Sequence, residues 1–243
     1  MPSRSLVKER DCGYVLSVTE KLYYSDPSLL EFDARAVDVA VREGRCEVIL
    51  DRTCFYPGGG GQPCDQGTLG GARVRDVAYR GENIVHVVEP SLGPETLTAM
   101  VHGSVDAQRR RDFMAQHTGQ HIFSQALLKA GGLPTVSVHF GEEDTTIEVQ
   151  ADAVDESTLR AAEDLANAVI KENRRVILHE IDPSEAAKFP LRRTPPEAGR
   201  LRIVEVDSYD WAACGGVHVA STGEVFLARA VGEERIRGRF AST

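Results

Sequence analysis

Two short motifs in the 243-residue chain carry paired metal-ligand chemistry. The first is His117-Thr118-Gly119-Gln120-His121. On a helix, residues four apart lie about 40° apart around the axis, so both imidazoles can reach one ion. The second is Cys214-Gly215-Gly216-Val217-His218, where the two glycines allow a tight turn that brings thiolate and imidazole together from a loop. His117, His121, Cys214 and His218 together make a set suited to tetrahedral zinc. Nearly a hundred residues separate the pairs, so their meeting is an expectation that only a fold can test. His86, His102 and His179 read as ordinary strand or loop residues.

A third motif is Tyr56-Pro57-Gly58-Gly59-Gly60-Gly61-Gln62-Pro63. Four glycines in a row cost chain entropy, so they imply special dihedrals or close approach of backbone to something else. Two readings stand side by side: a flexible turn between strands, or a loop laid against a nucleotide or an ester.

The elements that must position these motifs follow from punctuation and periodicity. Short β-branched stretches at 14–22, 36–43, 46–50, 72–79 and 83–88, broken by Gly, Pro and Asp, predict a small barrel or sandwich. The run Glu89-Pro90-Ser91-Leu92-Gly93-Pro94 predicts a boundary, giving a β-barrel domain over 1–93 and a metal-binding domain over 94–243. A helix is expected over 106–129, capped by Asp106 and ended by Gly131-Gly132. A strand pair at 135–140 and 145–150, a helix at 156–173, and strands at 176–181, 201–206, 224–231 and 235–240 make the second half α+β.

Composition bounds the partners. No apolar run approaches the roughly 20 residues of a membrane span, and the charged first residues lack the apolar stretch of a signal peptide. Five scattered cysteines argue against a disulfide framework, so a cytoplasmic protein is expected. A net charge of -9 speaks against tight DNA binding. Basic clusters at Arg109-Arg110-Arg111, Arg174-Arg175, Arg192-Arg193 and Arg235, Arg237, Arg239 are either solvated faces or local phosphate contacts.

At these residues the chain resembles the AlaX proteins, freestanding relatives of the editing domain of alanyl-tRNA synthetase. The resemblance runs through the glycine block, through Gly103-Ser104-Val105-Asp106 to Met114, and through the histidine pair. It continues with Ser137-Val138-His139-Phe140-Gly141 and ends with Asp210-Trp211-Ala212-Ala213-Cys214-Gly215-Gly216-Val217-His218-Val219. It implies an N-terminal β-barrel like those of translation proteins, followed by an α+β editing domain shared with threonyl- and alanyl-tRNA synthetases. The glycine block implies the medium-length subtype. The implied activity is an aminoacyl-tRNA deacylase that removes serine from mischarged alanine tRNA, and the sequence leaves open whether glycine is removed as well. Val217 stands where the family usually has Thr.

Ester hydrolysis needs an activated water and a polarised carbonyl, which zinc supplies, although four protein ligands make a closed set. Thr118, Gln120 and His139 are the candidates for the catalytic pocket, with Thr118 expected to read the serine hydroxyl. Gly59, Gly60, Gly61 and Gln62 are the candidates for contacting the terminal adenosine or the ester. An editing domain for another mischarged tRNA, or a zinc-stabilised binding module without hydrolysis, are the competing readings.

Overall fold

The computed structural model describes residues 18–42, 45–90, 92, 100–194, 199–236 and 239–242. After a short strand β1 (Glu20–Lys21) and a one-turn helix α1 (Leu22–Ser25), seven strands follow. These are β2 (Glu31–Arg42), β3 (Arg45–Leu50), β4 (Arg52–Thr53), β5 (Gly67–Leu69), β6 (Ala72–Arg80), β7 (Asn83–Glu89) and β8 (Met100–Val105). The order β2-β3-β7-β6-β5-β8 closes a barrel. Alternation drives it: along β2, Phe32, Ala34 and Ala36 point inward while Glu31, Asp33 and Arg35 face water. Of the strand expected at 14–22, residues 14–17 lie outside the described part, and 20–21 form β1 before the chain turns helical.

The barrel does not stop at residue 93. β8 comes from beyond that boundary and pairs with both β2 and β5. Without it both would be open edges, and closure is what removes edges from a barrel. The proline-rich run thus precedes the last barrel strand in the chain and does not mark the barrel's end.

Helix α2 (Ala107–Gly131) begins directly after β8. Asp106 accepts from the amides of Gln108 and Arg109, and Gly132 closes the other end at φ 63°. Next come β9 (Thr135–Phe140), β10 (Thr145–Val149), α3 (Glu156–Lys171), β11 (Val176–Ile181), β12 (Leu201–Val206), β13 (Asp210–Ala213), β14 (Glu233–Ile236) and β15 (Arg239–Ser242). They form the sheets β14-β15-β10-β9 and β11-β12-β13, giving an α+β second half. Among the described residues no helix is long and apolar enough to cross a membrane.

The segment 224–231 is not a strand. Ser221 and Glu224 form a capping box on a 3-10 turn (Thr222–Val225), and Phe226 follows at φ 67°. The backbone of Ala228 is then held by the Asn167 side chain of α3, donating at 2.9 Å and accepting at 2.7 Å. A side chain supplies what a neighbouring strand would have supplied.

Two apolar cores meet on α2. Met114 packs into the barrel core, as do Val217 and Val219. Two turns further on, Ile122, Phe123, Ala126 and Leu127 belong to a second core with Ala162, Ala166, Val169 and Ile170 of α3. The turn between the cores holds His117, Thr118, Gln120 and His121, all buried. Arg110, expected in a surface cluster, is instead fully buried. It ion-pairs with Asp65 and donates to the carbonyls of Pro27 and Cys54 at 2.6 and 2.5 Å.

Candidate metal centre and adjoining cavity

The fold brings both ligand pairs together. One ligand atom from each of His117, His121, Cys214 and His218 lies within 4.8 Å of the others, an arrangement that could hold a metal ion. Cys214 Sγ is 3.3 Å from His117 Nε2 and 3.4 Å from His218 Nε2. Gly216 explains the glycine pair: a β-carbon there would sit 2.2 Å from the His117 ring. The turn can approach the helix only without a side chain.

Each histidine is oriented through its other nitrogen. His117 Nδ1 lies 2.7 Å from Gln62 Oε1, and His218 Nδ1 lies 3.1 Å from Thr118 Oγ1. His121 Nδ1 faces Asp210 Oδ2 at 3.4 Å without a directed hydrogen bond, so that contact is electrostatic. Arg192 grips both oxygens of Asp210 from the far side. With Nδ1 turned to an acceptor in all three rings, Nε2 is left for a ligand.

The charges agree with this geometry. Burial pushes the Cys214 thiol up, but His117, His218 and His121 outweigh it and hold it well below its usual value. Burial favours neutral His121, yet the carboxylate of Asp210 and the Cys214 sulfur raise it to about 9. Burial, reinforced by His117, keeps His218 neutral. Burial also opposes ionisation of Asp210, and His121 and Arg192 overcome it, leaving the carboxyl below its usual range.

A cavity of about 530 Å³ opens over this cluster. Its floor includes His117, His121 and Cys214, and its walls include Gly59, Gly60, Gln120 and Arg193. A larger cleft of about 750 Å³ lies along another face of α2, but none of the four potential ligands lines it. The chemistry therefore belongs to the smaller cavity.

The expected pocket residues separate. Gln120 lines the cavity; its Nε2 donates to Ser124 Oγ at 2.7 Å, and Thr135 donates to the same oxygen at 2.8 Å. Thr118 does not line it. The rotation from His117 turns it toward the 214–219 segment, where its hydroxyl meets His218 and accepts from the Val219 amide at 3.2 Å. His139 also points away: alternation along β9 directs Val138 and Phe140 to the site and leaves His139 in solvent.

In the glycine loop, Gly59 and Gly60 border the cavity, whereas Gly61 and Gln62 do not. Gly61, at φ 91°, passes so close to β9 that a β-carbon would lie 2.2 Å from Val138 O. Its carbonyl accepts from the Phe140 amide at 3.2 Å. Gln62 is buried and committed to His117. Gly61 serves close packing, whereas Gly60 has open space around it, and Asp65 ties the loop's base to Tyr56 N at 2.7 Å and to Arg110.

Two functional features escaped the sequence reading. One is the Asp210–Arg192 pair behind His121. The other is Arg202, buried in β12, which donates to the carbonyls of Cys214 and Gly216 at 2.9 and 2.7 Å and braces the ligand turn. A cation inside the apolar run Leu201-Arg202-Ile203-Val204 was the available signal. Val217, fully buried in the barrel core, occupies a position where an apolar side chain fits.

The family model for class II (A) tRNA synthetases matches residues 12–109. The alanyl-tRNA editing protein AlaX-L of Pyrococcus horikoshii is 35% identical over 216 residues, covering 86% of this chain and 53% of that protein. The alanine–tRNA ligase of Thermococcus kodakarensis is 37% identical over 233 residues, covering 90% of this chain and 24% of the ligase. That of Halobacterium salinarum is 36% identical and 25% covered. The chain thus spans about a quarter of these ligases and about half of the editing protein.

Proposed function

Because the chain belongs to the family that joins alanyl-tRNA editing proteins to the matching segment of alanine–tRNA ligases, we propose that it is an aminoacyl-tRNA deacylase acting on mischarged alanine tRNA. The observation that carries the reading is the cluster beneath the cavity: three imidazoles with Nδ1 facing acceptors, and a thiolate, of which His117, His121 and Cys214 line the floor where an ester would enter.

Zinc is the metal we assign. Its ordinary bond lengths to sulfur and nitrogen put tetrahedral donors about 3.5 Å apart, close to the 3.3 and 3.4 Å separations around Cys214. His117, His121, Cys214 and His218 would hold it. When bound, zinc supplies Lewis acidity toward an ester oxygen and lowers the pKa of a coordinated water.

The chain's own residues do the rest. Gln62, Thr118 and Asp210 fix the ring orientations, and Arg202 fixes the turn that carries Cys214. Gly59 and Gly60 let the ester pass close to backbone. Gln120 is the side chain we assign to the serine hydroxyl: its amide nitrogen is committed to Ser124, which leaves its carbonyl oxygen for the cavity. A hydroxyl-accepting group favours serine over alanine, which an apolar pocket cannot do. The translation-type barrel and the cytoplasmic setting belong to this same proposal.

The test is deacylation of Ser-tRNA(Ala) against Ala-tRNA(Ala), with and without a chelator. Rapid release of serine, slow release of alanine and loss of the difference on chelation are expected. Equal rates for both, or a serine rate untouched by removal of all metal, would refute the reading.

A further inference from the structure

The cavity over the metal cluster extends onto the barrel, where Tyr24 and Tyr79 form its far wall with Tyr56. Tyr79, next to last in β6, is 45% exposed. Its hydroxyl lies 3.2 Å from that of Tyr23, which secures one edge of the ring. Tyr24 stands edge-on to Tyr23, at 5.0 Å and 83°. Its hydroxyl reaches the ligand turn, for a β-carbon on Gly215 would lie 3.2 Å from it.

The Lys21 ammonium covers both rings, 5.1 Å from the centroid of Tyr24 and 4.9 Å from that of Tyr79. It is a flexible, strongly hydrated cation on a four-carbon stem, and it can leave without disturbing the core. Across the cavity, Arg193 is exposed, with one nitrogen on the Val136 carbonyl at 3.0 Å. In a chain of net charge -9, this rim is locally basic and aromatic.

We infer that this wall is a subsite for the base of the substrate's terminal nucleoside: the heterocycle stacks on Tyr79 beside Tyr24, and Lys21 turns from the rings to the adjoining phosphate. The inference deepens the proposed deacylase and rests on it. An ester held over the metal ligands is attached to the ribose that also carries the base, and the tyrosine wall is the aromatic surface of this cavity within its reach. Aromatic faces accept any base, and the subsite therefore supplies affinity and position without reading base identity. Tyr79 is on the barrel, away from the ester, so its contribution falls on KM and leaves kcat alone.

The experiment uses the full chain and an uncharged RNA hairpin with a single-stranded CCA end whose last base is 2-aminopurine, a fluorophore quenched by stacking. Wild type and Tyr79→Phe should quench it. Tyr79→Ala should lose the quench and bind about tenfold more weakly, within the range of a base–aromatic stack. The same variant should raise KM for Ser-tRNA(Ala) about tenfold and keep kcat within about twofold. Tyr79→Phe keeps the ring without the Tyr23 bond, so it separates stacking from support of the fold. If wild type deacylates but gives no quench, or Tyr79→Ala keeps wild-type quench and KM, the subsite is overturned while the deacylase stands. If wild type neither deacylates nor binds the hairpin, both fall.

Discussion

Replacing Gln62 with Leu should loosen the metal site while leaving the fold nearly as stable. Gln62 Oε1 is the acceptor for His117 Nδ1 at 2.7 Å, and its amide nitrogen is buried without a partner among the described residues. Leu removes one orphan, the amide nitrogen, and creates another, the imidazole N–H. Each buried orphan costs about 1–3 kcal/mol, so the two changes largely cancel in the metal-free protein. They do not cancel in the metal-bound form, where the ligand ring needs that acceptor to stay in the correct tautomer and orientation. Loss of such a partner lowers metal affinity about 10- to 100-fold. The assay is chelator competition for zinc, paired with urea unfolding in excess chelator. Gln62→Glu, which also accepts from Nδ1, should restore affinity. An unchanged zinc affinity in Gln62→Leu would refute the positioning argument, and a large loss of metal-free stability would show that Gln62 acts on the fold.

Gln120→Leu should lower the ratio of serine to glycine release roughly two- to tenfold, the worth of about 0.5–1.5 kcal/mol in one hydrogen bond. Thr118→Val should leave that ratio unchanged and weaken zinc about tenfold, because its hydroxyl supports His218; a shifted ratio in Thr118→Val would reverse the two assignments. His86, fully buried between the Val48 carbonyl and Thr53, has its pKa lowered by burial to about 4. The unfolded chain therefore takes up a proton near pH 6.5 that the folded protein refuses until about pH 4. Stability is complete above the unfolded value and falls across that window by about 3 kcal/mol. Urea unfolding at pH 7 and pH 4.5 should show a smaller drop for His86→Gln than for wild type, and equal drops would refute the linkage.

How far the sequence could be read depended on whether the signal was local. Asp106, the apolar spacing and Gly131-Gly132 mark α2 because capping and periodicity act within a few residues. The ligand pairs were legible for the same reason, each lying within one turn. The partner of His117 is 55 residues away on a loop, and nothing near Gln62 points to a histidine. Thr118 sits about 100° around the helix from His117, a rotation that borders the metal on either of two sides. Only the placement of the 214–219 segment shows that its side faces His218 and leaves the cavity to Gln120. Arg110 read as one of three exposed cations because its carboxylate, Asp65, comes from the barrel. β8 was missed as a barrel strand because two prolines seemed to end the domain before it.

These failures share a cause that bears on the chemistry. The residues that orient the metal ligands come from both cores, and the contacts that join the cores are the ones invisible in sequence. Met114, Val217 and Val219 enter the barrel core from segments that also carry ligands. Arg110 ties α2 to Asp65, and Asp65 ties down the loop that presents Gln62. Gly61 brings that loop against β9, within reach of Val138 and Phe140, and Phe140 in turn packs on His117 at 4.9 Å between ring centres. The site is thus assembled where two independently packed cores press on one turn of α2. A perturbation of the barrel, such as Gly61→Ala, meets the backbone of Val138 first and reaches His117 through the Phe140 ring. The barrel is therefore part of the metal site's support, and Gly61 is the means by which its loop gets close enough to be so.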